Sequence, residues 1–119
     1  MKIAITSSGK SLDSPMDPRF GRAPYIIIAN DAGELLEVID NAANVNAMRG
    51  AGIQAAKSLA DRGVSVLLTG HCGPNAFTAL QSAGIKVGSD QSGVVKDALE
   101  KYRNGGVNFA NGPNAEAHW

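Results

Sequence analysis

Apolar and polar residues alternate from Lys2 to Ser7, the period of a β-strand. A polar connection follows from Ser8 to Pro24, broken by Pro15 and Pro18. Loops of this length in a small domain are usually functional or mobile, so an open, flexible segment is expected here. Tyr25 to Ala29 is apolar and β-branched, which predicts a strand covered on both faces. Turn chemistry at Asn30-Asp31-Ala32-Gly33 and a further strand-like stretch from Glu34 to Asp40 complete a hairpin. Asn41 to Arg49 is a second polar loop.

The period then changes. Between Gly52 and Arg62 the apolar residues Ile53, Ala56, Leu59 and Ala60 recur at helical spacing, with Gly63 as the stop. Val64 to Thr69 reads as a buried strand. Pro74 to Ala83 reads as a helix with proline in its first turn and Gly84 beyond its end. Ile85 to Gly88 is a short strand. Ser92 to Tyr102 is a helix with Ser92 as its cap and Asn104-Gly105-Gly106 as its stop. Val107 to Trp119 has no periodicity and reads as a loosely ordered tail. The order β-β-β-α-β-α-β-α predicts a single α/β domain over 1–119: one mixed five-stranded sheet with flanking helices, antiparallel in front and parallel behind.

Composition narrows the function. The formal net charge is zero, so no basic surface field speaks for nucleic acid or an acidic membrane. No apolar run approaches the length of a bilayer span. The amino terminus enters a strand pattern with no cleavage site, which reads as a cytoplasmic protein. A single cysteine, Cys72, excludes an internal disulfide and an all-cysteine metal site within one chain.

Three segments carry candidate chemistry. Asp17-Pro18-Arg19-Phe20-Gly21-Arg22 sets two arginines three apart in a loop stiffened by Pro18 and freed at Gly21. Guanidinium forks suit oxyanions and soft anions, and Asp17 can hold one of them. The plainer alternative is a surface loop anchored by Phe20. Gly70-His71-Cys72-Gly73-Pro74-Asn75 leaves a strand and opens a helix, where backbone N–H groups and the helix dipole favour an anion. Strand ends of α/β sheets are also common ligand sites. Cys72 is expected to have a lowered pKa there and to suit a soft metal, with His71 beside it, although neither need be a ligand. The alternative is a tight turn carrying an inert thiol. As sequence neighbours the two side chains diverge, so they make a poor catalytic dyad. Gly50-Ala51-Gly52-Ile53-Gln54-Ala55 matches a dinucleotide fingerprint only weakly, since its strand ends near Asp40 and no ribose-binding acid follows Thr69-Gly70. Its glycines still open a helix, with Met48 and Arg49 just ahead; Met16 adds a second thioether near the loops. The candidate anion-binding set is thus Arg19, Phe20, Gly21, Arg22, Met48, Arg49, Gly50, Gly52, Gly70, His71, Cys72, Gly73 and Asn75. No catalytic set is visible, and the chain reads as a binding protein rather than an enzyme.

Asp17-Pro18-Arg19-Phe20-Gly21-Arg22-Ala23 followed by an aromatic-led strand resembles the dinitrogenase iron–molybdenum cofactor biosynthesis family. So does Thr69-Gly70-x-Cys72-Gly73-Pro74-Asn75-Ala76-Phe77, with Leu80 and Ala83-Gly84-Ile85 after it, and the resemblance spans nearly the whole chain. It implies a ribonuclease-H-like fold. It implies non-covalent carriage of a metal–sulfur cluster, either a molybdenum–copper sulfide or a related molybdenum or iron–sulfur cluster. Arg19, Arg22 and Gly70 to Asn75 fall on its motifs. Stand-alone members are associated with MinD-type ATPases, which implies a cluster-free regulatory module as the alternative. The first strand lacks the carboxylate of a two-metal nuclease, and the chain lacks the cysteine motif of a radical cofactor-building enzyme.

Overall fold

The computed structural model describes residues 1–41 and 51–113 of the chain. Its strands are β1 (Lys2–Ser7), β2 (Tyr25–Asn30), β3 (Leu35–Asp40), β4 (Val64–Leu68) and β5 (Lys86–Gly88), and its helices are α1 (Ala51–Asp61), α2 (Pro74–Ser82) and α3 (Val95–Arg103). The strands form one sheet in the order β3-β2-β1-β4-β5. β1 pairs antiparallel with β2, and β2 with β3; β1 pairs parallel with β4, and β4 with β5. This is the expected mixed five-stranded sheet. Among the described residues no helix is long and apolar enough to cross a membrane.

Alternation in β1 sorts side chains between two cores rather than between core and water. Ala4 joins Ile26, Ile28 and Leu67 on the face covered by α1 and α2, through Ala55, Leu59, Phe77 and Leu80. Ile3 and Ile5 join Ile27 and Leu68 on the opposite face, covered by α3 through Val95, Ala98 and Leu99. Even Thr6 and Ser7 are buried, because β1 is the central strand.

The first loop is not the loosely held segment expected from its composition. Met16 is buried in the α3-side core, and Phe20 is fully buried in the other. Between them the backbone is tied to neighbouring elements: Met16 N donates to Gly93 O at 2.8 Å and Asp17 N to Thr6 O at 3.2 Å. The same loop corrects the start of the last helix. α3 begins at Val95 with Val94 as its N-cap and no capping side chain, so Ser92 is not the cap. Its first amides go to loop carbonyls instead: Val95 N to Ser14 O and Lys96 N to Leu12 O, both at 2.9 Å. The stretch read as a loose tail is a strap over its described beginning. Val107 is buried in the α3-side core, and Ala110 N donates to Val87 O at 2.7 Å.

Phe20 therefore behaves as a core residue. Replacing it with alanine should cost about 3–5 kcal/mol of folding stability by urea denaturation, the range for a large buried side chain. A loss below about 1 kcal/mol would show that the loop contributes nothing to the core.

Candidate functional site

The parallel strands β1, β4 and β5 all end at one edge of the sheet. β2 begins there and β3 finishes there, as the pairing of Ser7 with Tyr25 and of Tyr25 with Asp40 shows. The connections leaving this edge are sewn to one another by backbone. His71 N donates to Pro18 O at 2.6 Å, and Phe20 N donates to His71 O at 3.0 Å. These two bonds make an isolated parallel bridge between Arg19 and His71, so the arginine motif and the glycine–cysteine motif lie side by side.

Glycine is required where the connections touch. Gly21 has φ +92°, and a Cβ there would sit 2.7 Å from Gly52 N and 2.8 Å from Gly52 Cα, in the first turn of α1. A Cβ on Gly70 would lie 2.8 Å from Pro18 O. At Gly21 and Gly70 the missing side chain lets backbone approach backbone. Asn41 completes the clamp, its Nδ2 donating to Gly21 O at 3.2 Å and Ala23 O at 2.8 Å.

Positive charge sits on this scaffold. Asp17 is nearly buried; its Oδ1 accepts from Arg19 N at 2.9 Å, and its Oδ2 lies 3.4 Å from Arg19 Nη2. The Arg19 side chain remains 49% exposed, so Asp17 steers the guanidinium without removing it from solvent. Arg22 N donates to Arg19 O at 3.2 Å, which closes a turn that keeps the two arginines together. Beyond His71, α2 starts from Gly73 with no side-chain cap and with Pro74, which has no N–H, in its first turn. The N-cap residue itself therefore offers no side-chain acceptor to the backbone amides of Asn75 and Ala76.

Two members of the expected set lie in the core. Phe20 is fully buried and belongs to the core, not to a ligand surface. Cys72 is also fully buried, packed in the α1–α2 core, with Sγ 3.8 Å from Gly73 O. Burial pushes its thiol up to about 12, opposite to the lowering expected at a helix start, because desolvation outweighs the dipole. Cys72 is therefore held as a protonated thiol in the core. Arg19, Arg22, His71, Gly73 and Asn75 do gather at the edge, while Met48, Arg49 and Gly50 lie outside the described residues. Among the described residues, no three of His, Cys, Asp and Glu cluster as a metal-holding group. The sequence reading missed Asn41 and the hydroxyls at the ends of β1 and β4, where Thr6 Oγ1 lies 3.0 Å from Thr69 Oγ1 and donates to Asp17 O at 2.7 Å. A cleft of about 590 Å³ lies away from this edge, between the β2–β3 hairpin tip and the end of α3.

The model of the dinitrogenase iron-molybdenum cofactor family matches residues 1–105. The apo form of the orange protein from Desulfovibrio gigas is 47% identical over 96% of both chains, with a TM-score of 0.92. A Thermotoga protein described as a NifB protein of the DUF35 family is 33% identical over 96% of this chain and 97% of its own, with a TM-score of 0.81. A Methanocaldococcus jannaschii protein described as a dinitrogenase, 16% identical over 95% of this chain and 97% of its own, shares the fold at a TM-score of 0.66. No curated protein matches the chain.

Two outcomes follow from this geometry. Gly21→Ala should cost about 2–3 kcal/mol by urea denaturation, since it combines a left-handed backbone with a backbone clash. Gly63→Ala should cost only about 1 kcal/mol, because Gly63 has φ +73° and nothing within 4 Å of its Cβ position. Equal losses would mean that the Gly21–Gly52 contact is not tight. The second outcome concerns Cys72. Well below pH 9.0, its ordinary value, neither folded nor unfolded chain releases the thiol proton. Above that, only the unfolded chain does, so stability should fall by up to about 1.4 kcal/mol per pH unit as pH rises toward the folded value. Denaturation of wild type and Cys72→Ala between pH 8 and pH 10.5 measures the difference in slope, and parallel curves would place the thiol in solvent.

Proposed function

The chain belongs to the dinitrogenase iron–molybdenum cofactor family, and we propose that it holds an anionic metal–sulfur cluster, without covalent attachment, on the strand-end edge around Arg19, Arg22 and His71. The role is carriage or storage of the cluster as an accessory protein, and the cluster is cargo. The observation that carries this reading is the Arg19–His71 bridge. It sets one arginine, and through the Arg19–Arg22 turn a second, beside the uncapped start of α2.

The donor set suits such cargo. A thiometallate cluster is a polyanion with soft sulfur edges, and guanidinium forks and backbone N–H groups stabilise it by charge and hydrogen bonding. The one cysteine is buried and neutral, so it offers no thiolate anchor, and attachment rests on electrostatics. The cargo proposed is a molybdenum sulfide with copper as second metal, the class that the family resemblance implies. This reading takes precedence over a cluster-free module working with a MinD-type ATPase, because paired arginines beside an uncapped helix are anion-binding features that such a module does not require.

Each charge-assisted contact contributes roughly 1.5–3 kcal/mol. Replacing Arg19 and Arg22 together with glutamine should therefore weaken binding about 100-fold, allowing for incomplete additivity. Cys72→Ala should bind like wild type. Absorption titration of apo-protein with tetrathiomolybdate and copper(I) reads both variants. Unchanged affinity in the arginine variant would place the site elsewhere, and loss of the bands in a folded Cys72→Ala would restore a thiolate anchor.

A further inference from the structure

Ser89 is a buried side chain for which neither the fold nor the arginine site has a use. It is 9% exposed, and among the described residues its Oγ is the buried side-chain polar atom without a hydrogen-bond partner. Buried hydroxyls are ordinarily bonded, and each exception needs a physical account. The backbone on either side is fixed. Thr69 N donates to Gly88 O at 3.0 Å, Asp90 N to Gly70 O at 2.8 Å and Gln91 N to Thr69 O at 3.0 Å, so the turn hangs from the glycine–cysteine motif. Gln91 Nε2 also donates to Ser89 O at 2.9 Å. The hydroxyl is thus a buried side-chain group without a partner on a rigid mount.

Strand alternation places it. Val87 packs in the α1–α2 core, whereas a Cβ on Gly88 would meet Leu68 and Val107 on the α3 side. Ser89 then returns to the α1–α2 face. β1 pairs Ile5 with Leu68, and β4 pairs Leu68 with Gly88. One residue further on, Thr6, Thr69 and Ser89 stand side by side across the three parallel strand ends. Thr6 Oγ1 lies within hydrogen-bond distance of both Asp17 O, at 2.7 Å, and Thr69 Oγ1, at 3.0 Å. Two hydroxyls of the row are bonded to each other, and one of them to the arginine motif. The third is uncommitted, at the edge where α2 begins.

We propose that Ser89 is a ligand-binding residue of this edge, its Oγ turning about χ1 to donate a hydrogen bond to a sulfide or oxo atom of the bound anion. The proposal rests on the cluster-binding reading and adds a contact to it. The present rotamer is shielded from solvent, and exchange between staggered rotamers needs no backbone movement, which suits a backbone held on both sides.

The test compares wild type, Ser89→Ala and the Arg19→Gln/Arg22→Gln variant, each titrated with tetrathiomolybdate and copper(I) and each unfolded in urea. In Ser89→Ala the dissociation constant should rise about ten-fold, equivalent to about 1.4 kcal/mol. Its urea midpoint should stay level or rise, since the deletion removes an unsatisfied buried group. Weaker binding without lost stability is a combination that a purely structural hydroxyl does not produce. A lowered midpoint would assign the hydroxyl to the fold and overturn the proposal. If the arginine variant loses binding while Ser89→Ala binds like wild type, the cluster reading stands and the role of Ser89 falls. If wild type binds nothing, both fall.

Discussion

The strand-end edge depends on two backbone hydrogen bonds, His71 N to Pro18 O and Phe20 N to His71 O. They join a loop from the first third of the chain to the start of a helix in its second half. The remaining local features are consequences of that join. Gly70 must lack a side chain because Pro18 lies against it, and Gly21 must lack one because the same loop then runs against Gly52. Arg19 stands beside His71 because the bridge places it there, and Asp17 is held within reach of it from below by Thr6. A side chain at either glycine would separate elements whose contact is main chain to main chain, where no rotamer change gives relief.

This arrangement makes the arginine loop a built part of the domain rather than a lid. Its two apolar anchors point into different cores, Met16 toward α3 and Phe20 toward α1 and α2. A segment held from both sides of a sheet has little freedom to close over a ligand, and the ordering cost of binding is largely met during folding. Preorganised donors of this kind favour ligands whose charge is distributed over a surface, because the protein presents fixed directions and the ligand need only match some of them.

The elements were legible in the sequence because each carries its own period. The alternation of Lys2 to Ser7 and the spacing of Ala56 and Leu59 are local signals, and they survive as β1 and α1. The arginine pair was legible for the same reason, as two residues in one short loop. What stayed hidden depends on register between distant strands. Thr6, Thr69 and Ser89 are unremarkable until parallel pairing aligns them. Cys72 was misread because a position at a helix start argues for a lowered pKa, whereas burial argues for a raised one, and only packing tells which prevails. Ser92 was misread as a cap because the actual acceptors are the carbonyls of Leu12 and Ser14, which belong to another part of the chain.

Those same carbonyls link two faces of the molecule. The first turn of α3 is completed by the loop that, a few residues later, carries Arg19, and Lys96 forms an exposed ion pair with Asp13 of the same loop at 2.9 Å. Fraying of the helix start would break the same main-chain bonds that hold the loop. Whatever steadies the arginines on the strand-end edge also steadies α3 on the far side of the sheet.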